Sequence, residues 1–244
     1  LRGLNVLYIT WEMAEERIAE RIDANLLDVT MEDLHEMPHQ LYEGKIKKLR
    51  EKTQGQLIVK EYPTASAHSG HFKSLLNELA LKKSFRPDVI FIDYLNICAS
   101  SRFKGGNISS YFYVKAIAEE LRGLAVEFNV PIFSATQTTR TGFVSTDIGL
   151  EDTSESFGLP ATADFMFALM SNEELEALGQ MKVKQLKNRY NDPSINRAFI
   201  IGVDRSKMRL YDVQQKAGDI VNANQVDEKE DAYNKFSDFK LWPI

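Results

Sequence analysis

The alternation of apolar runs with amphipathic stretches divides the chain into a regular series. Asn5 to Thr10 (NVLYIT) and Leu57 to Tyr62 are short enough and apolar enough to predict strands. Between them, Ala14, Ile18, Ile22 and Leu26 recur four apart on one helix face, with Glu12, Glu15 and Glu16 in its first turn, where the helix dipole favours acids. Residues 31–54 form a polar, helical excursion, and residues 71–84 predict a further helix. The segment Arg86 to Ile97 (RPDVIFIDYLNI) holds four consecutive apolar residues, Val89 to Ile92, a pattern expected of a strand buried on both faces. Residues 99–109 read as a loop, and Tyr111 to Phe128 carries an apolar stripe at three-four spacing through Val114, Ile117, Leu121 and Leu124. Strand, helix, strand at these spacings is the βαβ pattern of a parallel sheet. Pro131 to Thr136 is the next strand, residues 138–160 a long loop, and Ala163 to Met170 another strand. From Met181 the pattern turns to short alternating strands at 181–188, 196–204 and 207–213, expected as antiparallel hairpins at the sheet's edge. The expected fold class is therefore α/β: a mostly parallel sheet flanked by helices, with antiparallel strands appended at the C-terminal end.

Composition narrows the class without naming a function. With 244 residues, 43% of them hydrophobic, the chain can bury a large core as one domain. It has no apolar segment long enough to span a bilayer and no leader pattern, so a cytoplasmic location is expected. The single Cys98 reads as a small buried hydrophobe. A net charge of -5 argues against a uniformly basic nucleic-acid binder. Locally the balance reverses: between Lys182 and Arg209 eight Lys or Arg stand against Asp192 and Asp204, a patch expected to seek an anion. From Lys216 the chain is poor in aliphatics and rich in acid and amide side chains, so residues 216–244 are expected as a flexible acidic tail beyond a domain at 1–215.

Asp93 is the chief chemical candidate. A carboxylate at the C-terminal end of a parallel strand sits where open α/β sheets bind ligands, although a strand-ending Asp that only caps the next turn has the same signature. Glu12 stands at another strand-to-helix junction, where a helix-dipole carboxylate is the plainer reading and a partner such as Asp93 would make it functional. The run His35-Glu36-Met37-Pro38-His39 matches the H-E-x-x-H zinc pattern in letters only, because Pro38 breaks the helix that would align the imidazoles. The basic run Lys45, Lys47, Lys48, Arg50 and Lys52 reads as a solvated helix face. Lys187 and Arg189, two apart on a strand, share one face.

Several of these segments together carry a family resemblance that covers most of the chain. YITWEMAEE, RIDANLLD, DVIFIDYLNI, VKAIAEELRGLAVEF, SATQ, GLPATADFM and KQLKNRY, in that order, resemble the ATPase domain of the DnaB-like hexameric replicative helicases, those of T-even type bacteriophages above all. Asp152, Glu155, Ser156 and Ala163-Asp164 are similar to the family's loop for single-stranded DNA, with Ser154 and Phe157 standing where an arginine and a glycine are expected. The resemblance implies a RecA-like domain that couples ATP hydrolysis to translocation on single-stranded DNA. In it Asp93 would bind Mg²⁺, Glu12 would polarise the attacking water, and Gln137 would sense the γ-phosphate of ATP. Lys187 and Arg189 would reach a neighbouring subunit's nucleotide site. DNA contacts would come from Arg102, Lys104, Arg140, Ser154 and Glu155. Implied partners are single-stranded DNA, further copies in a hexameric ring, a primase and a helicase loader, in a host cytoplasm if the protein is phage-encoded.

One family feature is absent. No G-x-x-x-x-G-K-[ST] phosphate loop occurs, and Gly44-Lys45 and Gly105-Gly106 lack its spacing. The chain also begins at Leu1 without a methionine and enters a strand within four residues, so the expectation is a helicase fragment without that loop, inactive alone and at best weak in binding nucleotide. An ATPase-dead RecA-like module that binds DNA or protein remains the alternative, and a two-carboxylate metal hydrolase built on Glu12 and Asp93 lacks further ligands.

Overall fold

In a computed structural model, residues 2–103, 108–138, 149–150, 158–192, 195 and 197–213 are described, and all lie in one unit, Leu1–Val213. The expected tail at 216–244 lies outside them.

Four parallel strands form the first sheet: β1 (Val6–Thr10), β2 (Leu57–Glu61), β3 (Val89–Asp93) and β4 (Ile132–Ser134), in the order β2-β1-β3-β4. The crossovers contain α1 (Glu15–Leu27), α2 (Met31–Glu36), α3 (His39–Lys52), α4 (Ser69–Lys83) and α5 (Ser110–Phe128), the βαβ series expected from periodicity. Helix α1 starts at Glu15 rather than at Glu12, so Glu12 lies in the turn before the helix and not in its first turn. Thr30 opens α2 with a capping box closed by Asp33, and Pro38 separates α2 from α3 as expected, which places His35 and His39 on different helices. Helix α3 buries no residue, in keeping with a solvated basic face.

The core lies on one side of this sheet. Leu7, Ile9, Ile90 and Ile92 point into a cluster with Phe72, Leu76 and Leu79 of α4 and Val114, Ile117, Leu121 and Leu124 of α5. Cys98 is buried there, and burial pushes its thiol up to about 12, with Glu120 adding to the shift, so it is an inert hydrophobe. The opposite face corrects the sequence reading: β3 is not buried on both sides, since Phe91 is 36% exposed. Tyr8, Phe91 and Phe133 lie in register across β1, β3 and β4 and stack at 6.3 and 5.3 Å, yet Phe133 remains 48% exposed. Hydrophobicity alone registers the capacity to be buried, not whether something covers the residue.

Next among the described elements are a short helix, α6 (Gly158–Thr162), then β5 (Phe165–Met170), α7 (Glu173–Ala177), β6 (Gln180–Asn188), β7 (Ala198–Asp204) and β8 (Arg209–Asp212). The strands pair antiparallel in the order β5-β6-β7-β8. The fold class is thus as expected, with one change. Among the described residues β5 pairs with β6 and not with β4, so the hairpins form a second sheet rather than extending the first. The turn after β7 is clasped to the end of α1: Lys207 and Arg209 pair with Asp28 at 3.1 and 2.9 Å, and Asn25 donates to the Met208 carbonyl.

Candidate nucleotide site at the strand ends

The register of the parallel sheet brings three of the expected site residues to one edge. Thr10 pairs with Asp93 and Ile92 with Ser134, so the C-terminal ends of β1, β3 and β4 are level. Glu12 follows the first, Asp93 ends the second and Gln137 follows the third. Each is held locally. Buried Thr10 accepts from the Met13 amide through its Oγ1 and donates back to the Met13 carbonyl, pinning the turn that carries Glu12. Trp11, against the rings of Tyr62 and Phe72, anchors that turn from below and leaves Glu12 exposed. The Ser134 hydroxyl donates to the Ile92 carbonyl at 2.8 Å, joining β4 to β3 where both end. Gln137 Nε2 donates to the Tyr94 hydroxyl at 3.1 Å, tying its loop to the residue after Asp93.

Tyr8 is a site residue that the sequence reading missed. Its hydroxyl donates to Asp93 Oδ2 at 2.7 Å. Burial, that bond and the Asp93 charge push the phenol above its ordinary value, so it stays protonated and remains a donor. Period-two alternation places Tyr8 opposite the core, but only the β1–β3 register sets it beside Asp93. Asp93 Oδ1 has no protein donor among the described residues, and Glu12 lies two residues beyond Thr10, the register partner of Asp93. An oxygen-only set of one or two carboxylates suits Mg²⁺, which takes its remaining ligands from water and phosphate. No group of three or more His, Cys, Asp or Glu among the described residues could hold a metal by itself.

The second cluster lies at the junction of α5, α6 and the second sheet. Lys187 donates to the Pro160 carbonyl, Arg189 Nη2 to the Ala161 carbonyl at 3.1 Å and Arg122 Nη1 to the Thr162 carbonyl at 2.8 Å. Arg122 and Arg189 both reach Asp164 Oδ1 at 2.8 Å. Burial pulls the Asp164 carboxyl up, but the two guanidiniums, Arg122 first, hold it below its ordinary value. Lys187 and Arg189 therefore share one face, as their spacing predicts, yet their bonds do not reach Glu12, Asp93 or Gln137. The anion-seeking patch expected around them is partly neutralised within the chain: Arg189 pairs with Asp164, Arg205 with Glu176, and Lys207 and Arg209 with Asp28. Those carboxylates lie far away in sequence, and so a count over the local segment misses them.

Of the residues expected at DNA, Arg102 is described, and it pairs with Glu119 at an open cleft of about 700 Å³ lined also by Phe103, Phe112 and Lys115. Lys104, Arg140, Ser154 and Glu155 lie outside the described residues, as do Asp152, Ser156 and Phe157.

A parallel sheet that brings two carboxylates and an amide to its C-terminal strand ends, followed by an antiparallel unit, is an α/β domain of the kind that binds ligands at that edge. The family profile of the DnaB-like helicase C terminal domain matches residues 2–217, and the chain belongs to that family. It is 44% identical over 241 residues to the DnaB-like replicative helicase of Enterobacteria phage T4, a match that covers 96% of this chain and 51% of that protein. The chain thus spans about half the length of that relative. A probable plasmid replicative DNA helicase of Chlamydia trachomatis is 33% identical over 138 residues, 54% of this chain and 28% of the relative. Among solved structures, an isolated ATPase domain superposes with a TM-score of 0.68 at 16% identity, covering 86% of this chain and 75% of that one. A DnaB-like replicative helicase whose structure was described with its interactions with primase gives 0.67 at 15%, covering 86% and 51%. At those identities the two structures speak for the RecA-like fold alone.

Proposed function

We propose that this chain is the ATPase domain of a replicative DNA helicase, which couples ATP hydrolysis to translocation on single-stranded DNA and to duplex unwinding. The observation that carries the reading is the level edge at which Glu12, Asp93 and Gln137 converge, because hydrolysis of a bound triphosphate needs a metal-binding acid and a water-orienting group side by side. Asp93, oriented by Tyr8, would hold Mg²⁺, which would supply charge neutralisation at the transferred phosphate. Glu12, held out on its pinned turn, orients the attacking water. Gln137 senses the γ-phosphate and relays its loss through Tyr94 and the loop that follows. Arg189, with Lys187, acts on the nucleotide of the next copy in a hexameric ring.

Partners of the whole protein are single-stranded DNA, contacted through Arg102, Lys104, Arg140, Ser154 and Glu155, together with a primase and a loader in the cytoplasm of a host. No helix among the described residues is long and apolar enough to cross a membrane. These 244 residues contain no phosphate-cradling loop, so hydrolysis is proposed of the whole protein; the chain spans about half the length of its phage T4 relative. DNA-stimulated ATPase of the full-length protein tests the reading. Asp93→Asn and Glu12→Gln should each lower kcat by about 100-fold or more while single-stranded DNA is still bound. Turnover that survives both substitutions would remove Asp93 and Glu12 from these roles, and a full-length protein that binds single-stranded DNA without any ATP turnover would favour a RecA-like module that only binds.

A further inference from the structure

The cluster around Asp164 contains more positive charge than it cancels. Arg122, Lys187 and Arg189 converge on one carboxylate and three successive backbone carbonyls, those of Pro160, Ala161 and Thr162. The carbonyls at the end of α6 attract cations through their unsatisfied lone pairs. The three side chains that answer them come from two elements, Arg122 from α5 and the other two from the end of β6. Arg189 lies where β6 closes on β5, since its own amide donates to the Asp164 carbonyl at 2.9 Å. Backbone and side chain of Asp164 thus both grip Arg189. Its guanidinium commits one Nη1 donor to Asp164 and one Nη2 donor to Ala161, which leaves three N–H groups of the fork for another acceptor. Its side chain is 43% exposed, so those donors can be reached. Arg122 takes the same Asp164 oxygen, so the carboxylate is shared and Arg189 is not fully neutralised.

An isolated surface ion pair contributes about 0–1 kcal/mol and needs no purpose. Here, however, the pair holds a residue to which a role on a neighbour's nucleotide is assigned above, and it leaves that residue with residual charge. We propose that Asp164 is the positioning residue of the trans-acting Arg189: it seats the guanidinium on the end of α6 and aims its unused donors out of the subunit, with Arg122 preventing complete neutralisation. The inference rests on the assignment of Arg189 to a neighbour's nucleotide. It accounts for the position of Asp164 at the start of β5, opposite the end of β6, where one residue can hold the finger strand against α5.

The test uses full-length rings. D164N should lower kcat of DNA-stimulated ATP hydrolysis about 100-fold, the scale of a small misplacement of a catalytic group. KM for ATP should stay within about twofold, because the lost contact acts on the transition state of a neighbouring site. Subunits carrying D164N are then mixed with subunits carrying D93N. Turnover should rise above both parents, since some interfaces pair an intact Asp93 with an Arg189 seated on an intact Asp164. Mixtures of D164N with R189A should show no such rise, because both lesions lie on the same side of the interface. D164E, which keeps the charge, should recover part of the loss.

Wild-type turnover in D164N rings whose R189A counterparts are impaired would overturn the inference and leave the assignment of Arg189 standing. Wild-type turnover in R189A rings would remove that assignment itself. D164N subunits that fail to enter rings by native mass spectrometry, or a defect that D93N subunits do not complement, would make Asp164 a scaffold residue and overturn the inference.

Discussion

Glu120 shows how much a single side chain on α5 can organise. It accepts from the hydroxyls of Ser69 and Ser100 at 2.7 and 2.6 Å and from both the amide and the hydroxyl of Ser101. Burial pushes its carboxyl up, but the bonds from Ser100, Ser69 and Ser101 prevail and hold it at about 2. One carboxylate thereby ties the start of α4 and the loop after β3 to α5. Because the folded pKa lies below the ordinary value of 4.5, the stability it contributes is complete above about pH 4.5 and is lost as the pH falls through about 2. Glu120→Ala should cost about 1–3 kcal/mol near neutral pH, read from urea midpoints. The gap between wild type and Glu120→Gln should close between pH 4.5 and 2; a constant gap would show that the carboxylate's charge plays no part. The sequence gives no sign of this device, since three serines and a glutamate far apart in the chain look like ordinary polar residues until the fold gathers them. Asp93 and Glu12 are different: each ends or follows an apolar run, and that position is visible in one dimension.

At the scale of elements, register depends on close backbone approaches as much as on side chains. Gly55 stands just before β2, and a Cβ there would lie 2.1 Å from the Leu4 carbonyl oxygen. The approach is needed because the Val6 amide donates to the Gln56 carbonyl at 2.7 Å, starting the β1–β2 ladder. Gly55→Ala should therefore destabilise by about 1–3 kcal/mol through displaced backbone, measured by thermal or urea unfolding. An unchanged midpoint would mean that the strand entry yields without cost. Helix α5 was legible from its stripe and α2 and α3 from Pro38, since those signals act within a few residues. The short helices α6 and α7 were not: at five residues each they show too little periodicity, and α6 owes its place to Leu159 in the core and to the cations on its carbonyls.

At the scale of the molecule, the two sheets each leave two edge strands among the described residues, β2 and β4 on one and β5 and β8 on the other. On β3, β4 and β5 stand the exposed side chains of Phe91, Phe133, Phe165, Phe167 and Leu169. Unpaired edges and uncovered rings favour association with another strand or another copy. The 244-residue chain by itself should self-associate at micromolar concentration in sedimentation, and Phe133→Lys with Phe167→Lys should weaken that association. A compact monomer at every concentration would count against it.

What the sequence determined by itself are the features written in local periodicity: the βαβ order, the apolar stripe of α5, the break at Pro38, the acid at the end of β3, and, through the run of family segments, membership in the helicase family. What only the tertiary structure decided are the pairings between distant residues. The register levels Thr10 with Asp93 and so brings Glu12, Asp93 and Gln137 to one edge, with Tyr8 on the Asp93 carboxylate. The hairpins separate into their own sheet, and Asp28, Glu176 and Asp164 absorb charge that the local sequence leaves in excess. The reason is physical: periodicity reports which face of an element seeks burial, whereas hydrogen bonds and ion pairs form between groups whose proximity exists only after the chain has folded.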